Sequence, residues 1–461
     1  MKHFYLNIVG IFCLLFGLSA CGPDVEEASH AYMLQLLEQT AHRSANHENM
    51  FANQSRIAYY DSLLQQQADN PNYLYNKAVD LLHNGDSRDA AEIFTQLLTL
   101  KEEGKLYGFL SPDMISGLEH QLALAYIRLG EQENCIINHS SASCLFPLQP
   151  AGFHELEEGS RKAIEHYSRI LENYPDDLQA RWLLNIAYMT LGEHPEQVPQ
   201  QWLIPDSAFH AEQEVKPFQD IASAIGFDIR GLSGGLVVDD FTNDGYLDIL
   251  ISAWGQQDQL RFFVNNADGT FTENTEAAKL KGLYGGLNML QADYNNDGWL
   301  DVFILRGAWL RELGGHPNSL LKNNGDGTFT DVTQAAGLLS FHPTQTATWN
   351  DFNRDGWLDI FIGNETSGPE SFHKSELYLS QQDGTFINVA ETAGVEVNQI
   401  GFRPTRHYIK GVTSGDYDND GWPDLYISTG SLNKGRNFLF RNEGLDAEGT
   451  LHFKDVTREA G

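Results

Sequence analysis

Positive charge is what this sequence has least of. Thirty Lys and Arg stand against 63 Asp and Glu, a formal net charge of −33 over 461 residues. Nucleic-acid phosphates are held by a cationic face, so this balance argues strongly against a nucleic-acid partner. It fits an acidic surface that attracts cations, and also one kept soluble by its charge. Cysteine is scarce: Cys13, Cys21, Cys135 and Cys144. No HExxH, Walker A or dinucleotide fingerprint occurs. One enzyme-like string is present, Gly231-Leu232-Ser233-Gly234-Gly235, which spells G-x-S-x-G. A nucleophile elbow needs its Ser on a strand-to-helix turn. Here the strand-like LVVDDF follows, and the matching GLYGGL has Tyr284 where Ser233 stands. These glycines belong to a repeat, and the chain is not expected to be an enzyme.

What the sequence does have is one phrase written four times: DFTNDGYLDILIS from Asp240, DYNNDGWLDVFIL from Asp293, DFNRDGWLDIFIG from Asp351 and DYDNDGWPDLYIS from Asp416. Oxygen-bearing side chains fall at alternate positions, a Gly follows at position 6, and another Asp stands at position 9. A hairpin turn explains the Asp-Gly pair but not the remaining carboxylates. A hard cation explains them all, because calcium takes roughly six to eight oxygen ligands. The expected donors are side chains at positions 1, 3, 5 and 9 and the backbone carbonyl of position 7. In chain order these are Asp240, Thr242, Asp244, Tyr246 and Asp248; Asp293, Asn295, Asp297, Trp299 and Asp301; Asp351, Asn353, Asp355, Trp357 and Asp359; Asp416, Asp418, Asp420, Trp422 and Asp424. Thr242 is the weakest ligand at position 3. Position 12 is Ile in every copy, which separates the phrase from an EF-hand with its bidentate Glu there. An apolar, strand-like run follows position 9 instead. The position 7 aromatics read as packing residues beside the loop rather than as carbohydrate platforms.

The chain divides into two regions. From about residue 29 to 192 apolar and small residues recur at helical spacing, and Gly marks expected helix ends. Leu74, Ala78, Leu81, Gly85, Ala90 and Phe94 resemble the packing set of a tetratricopeptide repeat. A second copy opens with Leu122, Ala123, Tyr126 and Gly130, is interrupted over 133–158, and resumes with Ala163, Tyr167 and Ile170. Residues 193–216, with Pro195, Pro199 and Pro205, read as a linker. From 217 onward short strands with Gly-rich turns predict β-propeller blades. A second phrase recurs there, as FQDIASAIGF, FTENTEAAKL, FTDVTQAAGL, FINVAETAGV and FKDVTREAG. Taken as the head of each unit, it predicts four repeats plus the start of a fifth, an open arc with an incomplete C-terminal end, and equivalent strands holding Ile221 and Val456.

The resulting fold class is multidomain, helical repeats followed by all-β blades. The blades resemble FG-GAP (VCBS) repeats of integrin α-subunits and bacterial surface proteins. Residues 1–20, ending in Leu18-Ser19-Ala20 before Cys21, resemble a lipoprotein signal peptide; this implies lipidation of Cys21 and an envelope location, periplasmic or surface-exposed. With the interrupted helical half, the chain resembles bacterial members of the cartilage acidic protein group, the ASPIC/UnbV-associated family. In such an exported setting Cys135 and Cys144 are expected to pair as a disulfide. The competing reading adds His139 and His154 and makes a zinc or copper site, hence a periplasmic redox or copper factor. The leading expectation is a lipid-anchored, calcium-loaded protein that binds protein or glycan ligands; a polysaccharide-active or other secreted accessory factor is the further alternative.

Overall fold

The computed structural model describes residues 24–135, 143, 146–210, 218, 221–227, 229, 231–366, 372–397, 399–400, 403–404, 407–430 and 436–461. Among the described residues seven helices come first: α1 (Val25–Ser44), α2 (Asn53–Leu64), α3 (Pro71–Asn84), α4 (Ser87–Glu102), α5 (Pro112–Cys135), α6 (Glu158–Asn173) and α7 (Leu178–Thr190). None is long and apolar enough to cross a membrane.

Helix α3 shows why these segments are helical. The Asn70 side chain accepts from the N–H of Asn72 and Tyr73, Pro71 fills the first turn, and Gly85 ends the helix at φ 94°. Leu74, Ala78 and Leu81 face Ala90, Phe94 and Leu97 of α4 in one core. Gly130, expected at a helix end, lies inside α5. The reason is a helix crossing: a Cβ on Gly159 of α6 would sit 2.4 Å from the Gly130 nitrogen. His154 is buried in this layer, its Nδ1 3.0 Å from Ser160 Oγ, and its N–H donates to the Thr190 carbonyl at 2.7 Å. Cys144 and His139 lie outside the described residues, as do Cys21 and the whole 1–20 segment.

Helix α1, read with the helical repeats, packs instead on the blades. Leu37 enters the same core as Phe241, Leu280 and Phe329. His30 Nδ1 accepts the Asp331 N–H at 2.9 Å, and Glu26 holds Lys322 at 2.8 Å.

Among its described residues the β region forms four sheets of four antiparallel strands, each in sequential order. Blade 1 holds β1 (Ser233–Asp239), β2 (Asp248–Ala253), β3 (Arg261–Asn265) and β4 (Phe271–Glu273). Blade 2 holds β5 (Asn288–Ala292), β6 (Asp301–Leu305), β7 (Ser319–Asn323) and β8 (Phe329–Asp331). Blade 3 holds β9 (Thr344–Asn350), β10 (Asp359–Asn364), β11 (Glu376–Ser380) and β12 (Phe386–Asn388). After a two-residue ribbon, β13 (Gln399–Ile400) and β14 (Arg403–Pro404), blade 4 holds β15 (Tyr408–Gly415), β16 (Asp424–Gly430), β17 (Phe438–Leu445) and β18 (Leu451–Asp455). Inner strands β1, β5, β9 and β15 contact one another in that order. Strands in the middle of the array are covered on both faces, and β6 and β10 are buried along their whole length. At the ends one face is open: Leu236 and Val238 of β1 are 58% and 42% exposed, and Tyr426 of β16 is 43% exposed. Blades 1 and 4 share no ladder among the described residues, so the blades form an open arc.

The phase of the repeat differs from the expected one. FTDVTQAAGL does not open a blade; Phe329–Asp331 is the outer strand that closes blade 2, paired to β7. Likewise Phe453–Asp455 lies in β18 and pairs with β17, so the supposed start of a fifth repeat is the end of the fourth. The copy without a blade of its own is the first, near Ile221, and Ile221 is not in a strand. Its turn is nonetheless the common one: Ile225 N–H donates to Ile221 O, as Ala336 does to Val332 O and Ala460 to Val456 O. Phe227 packs edge-on against Phe263, 4.6 Å between ring centroids, on the outer part of blade 1. The G-x-S-x-G glycines are explained by close approach. A Cβ on Gly234 would lie 2.5 Å from the Gly286 and Ser252 carbonyl oxygens, and one on Gly235 would lie 2.6 Å from Met289 N.

Candidate cation loops

Each acidic phrase spans the turn from the inner strand to the second strand of a blade. Position 1 follows β1, β5, β9 or β15 at once, and position 9 is the first residue of β2, β6, β10 or β16. Two left-handed residues make the bend. Position 6 Gly has φ between 87° and 91°, and position 4 (Asn243, Asn296, Arg354, Asn419) has φ between 53° and 61°. A side chain at position 6 would be strained, which is why Gly stands there four times.

The loop closes on its own carboxylates. In loop 3, Asp351 Oδ1 accepts the Asp355 N–H at 2.9 Å and Oδ2 the Gly356 N–H at 2.9 Å. Asp355 Oδ1 then accepts the Trp357 N–H at 2.9 Å. The same three bonds recur in loops 1, 2 and 4. At position 3, Asn295 and Asn353 turn Nδ2 toward the position 5 carboxylate, at 2.8 and 3.0 Å. In loop 4 that position is Asp418, and carboxylate oxygens of Asp416, Asp418 and Asp420 lie within 4.8 Å of one another. It is the one such trio of acidic, His or Cys groups among the described residues. An all-oxygen donor set of this size matches a hard cation and not a soft one.

Position 9 has a second role that the sequence did not reveal. Asp248, Asp301, Asp359 and Asp424 are at most 2% exposed. Asp359 Oδ2 accepts the Phe352 N–H and Oδ1 the Ser380 N–H, both at 2.9 Å. Asp301 and Asp424 repeat this pair, and Asp248 adds the Thr242 N–H. The carboxylate thus ties the loop's entry to the third strand. Burial pushes the Asp301 carboxyl up to about 8 and that of Asp359 up to about 7. The donated N–H groups pull down, and the neighbouring Asp at positions 1 and 5 push up again. Asp248 and Asp424 shift in the same direction.

Successive loops are also linked. Asn243 Nδ2 donates to Gly298 O in loop 2, and Asn296 Nδ2 to Gly356 O in loop 3, each at 3.1 Å. Arg354 lies over the Trp422 ring of loop 4 at 5.3 Å. The position 2 aromatics reach the outer strand of the next blade: Phe241 to Phe329, Tyr294 to Phe386 and Phe352 to Phe453, with centroids 5.8–6.2 Å apart. Trp299 and Trp422 at position 7 pack over Gly325 and Gly444, where a Cβ would come within 2.8 Å of the ring. These two are packing residues, as expected, whereas Tyr246 at the same position of loop 1 is 48% exposed.

The FG-GAP-like repeat family matches residues 240–304, 308–362 and 351–427, spans that each contain an acidic loop. Among characterised proteins, cartilage acidic protein 1 of Xenopus tropicalis is 26% identical over 235 residues, 49% of this chain and 33% of that protein. The Homo sapiens protein is 31% identical over 113 residues, 24% of this chain and 15% of that protein. The Mus musculus protein is 32% identical over 105 residues, 23% and 14%. The matched part spans a third or less of the length of these relatives. The chain therefore carries FG-GAP-like repeats on its blades and is similar, over part of its length, to cartilage acidic protein 1.

Proposed function

We propose that this chain is a calcium-loaded interaction protein, exported and lipid-anchored through Cys21 in a bacterial envelope, whose helical repeats and blades present surfaces to protein or glycan ligands. FG-GAP repeats suggest an interaction or adhesion-type role. The observation that carries it is the repeated oxygen-only loop, most open to a cation in the Asp416–Asp418–Asp420 trio. A bound calcium would neutralise carboxylates that otherwise repel one another. The chain's own part is to hold them: Gly at position 6 bends the loop, and the buried position 9 Asp anchors it to the third strand.

Chelation is the test. Removing calcium should lower the melting temperature, and calcium but not magnesium should restore it, since magnesium demands near-octahedral geometry. Asp355→Ala should weaken one loop and leave the others. A melting curve indifferent to chelator overturns the calcium reading. The anchor is tested separately: Cys21→Ser should free the protein from the membrane fraction, and a variant that still pellets in high salt rules the anchor out.

A further inference from the structure

A cleft of about 570 Å³ lies between the α1–α2 connection and the mouth of blade 1, away from the acidic loops. Its composition is narrow. No Lys or Arg lines it, and its one carboxylate, Asp258, already accepts the Leu232 N–H. Amide side chains dominate the polar lining, among them Asn53, Gln54, Asn84 and Gln257. Aromatic rings supply the rest. Phe51 stands edge-on to Trp254, centroids 4.5 Å apart, and Trp254 lies 6.1 Å from Trp309. The row Phe51–Trp254–Trp309 runs from the helical region onto the blades, with Phe51 and Trp309 exposed and Trp254 buried between them.

Trp309 is held in place at a structural cost. It is 48% exposed, and its φ is 72°, a left-handed conformation that bulky residues rarely adopt. The conformation persists because its N–H donates to Glu365 Oε2 at 3.0 Å. Glu365 is 2% exposed and is paired with Lys410. A buried, charge-paired acid thus fixes a strained backbone so that an indole faces solvent. The ring touches Trp254 on one side and Lys410 Nζ lies 5.9 Å from its centroid, yet about half of it stays open to solvent, and strain of this kind concentrates at ligand sites.

We propose that this cleft and aromatic row bind a neutral oligosaccharide. Aromatic faces take the C–H faces of sugar rings, while amides both donate to and accept from vicinal hydroxyls. The cleft lining holds no Lys or Arg, and Lys410, whose Nζ lies 5.9 Å from the Trp309 ring centroid, is already paired with Glu365, which disfavours a strongly anionic ligand. The inference rests on reading the chain as an interaction protein and names one ligand class and site for it.

The test uses the full chain in excess calcium, with cellohexaose, maltohexaose and N-acetylchitohexaose as neutral probes and an oligogalacturonate as the anionic one. Titration calorimetry and tryptophan fluorescence read the binding. At least one neutral probe should bind saturably and the anionic one should not. Trp309→Ala and Phe51→Ala should each weaken binding by about tenfold, with Trp309→Phe closer to wild type. Phe51→Ala leaves the strained loop untouched, so it remains informative if Trp309→Ala misfolds. Failure of every neutral probe to bind, or wild-type affinity in both alanine variants, overturns the proposal. A chain that binds sugar but melts indifferently to chelator loses the calcium reading and keeps this one; a chelator-sensitive chain that binds no sugar does the reverse.

Discussion

Loops 1 to 3 and loop 4 carry nearly the same thirteen-residue phrase, yet their surroundings differ. In the first three, the position 2 aromatic is buried against the next blade: Phe241, Tyr294 and Phe352 are at most 3% exposed. In loop 4 the same position is Tyr417, 47% exposed. Position 4 shows the same break, since Asn243, Asn296 and Arg354 each reach a following loop. The difference teaches that two of the recurring features of the phrase serve packing between blades. They are contacts between blades, made at each of the three junctions that the structure describes.

The sharpest way to break this comparison is to remove the ring. Phe352→Ala should cost about 3–5 kcal/mol by urea unfolding, because a fully buried ring leaves a cavity. Tyr417→Ala should cost less than about 1 kcal/mol. Equal losses would mean that the ring acts within its own loop. The next effect is at position 9. Asp359→Ala strands the Phe352 and Ser380 N–H groups and should cost about 2–4 kcal/mol, in chelator as well as in calcium. Asp420→Ala, in an exposed loop, should cost less than about 1 kcal/mol in chelator and lower calcium affinity instead.

A smaller effect is a pH slope. The folded-state values of Asp301 and Asp359, about 8 and about 7, lie above those of an unfolded Asp, near 3.9. Between these limits the folded chain binds more protons than the unfolded one, so stability falls as pH rises through 7 and 8. In chelator the melting temperature should therefore drop from pH 6 to pH 9, and Asp301→Asn should flatten the slope. With calcium present the slope should disappear; a slope unchanged by calcium would separate the cation from these carboxyls. The smallest effect is at position 4. Asn296→Gly keeps the left-handed backbone and removes one exposed link to loop 3, so less than about 1 kcal/mol is expected. Hydrogen exchange at loop 3 should rise while the global unfolding midpoint hardly moves.

Much of the architecture is legible in the residues. Gly at position 6 announces a positive φ, and the apolar run after position 9 announces a strand, because both are set within a few residues. Helix α3 is equally plain from Asn70, Pro71 and Gly85. The phase of the blade repeat is not legible. A periodic string reads the same from any starting point, and only the ladder between β7 and β8 shows that FTDV closes a blade. The docking of α1 was hidden for a related reason, since an amphipathic helix does not name the surface that its Leu37 will meet.

The amino-acid sequence by itself determined the loops: which positions carry oxygen, where the chain bends, and what strand follows. Those features need only local backbone preference and side-chain chemistry. The tertiary structure decided the rest. It turned the position 9 Asp into a buried anchor for the third strand, joined each loop to the next, and placed Trp254 of blade 1 opposite Phe51 of the helical region. These outcomes depend on groups far apart in the chain, and burial and hydrogen bonding assign their partners only when the whole molecule is packed.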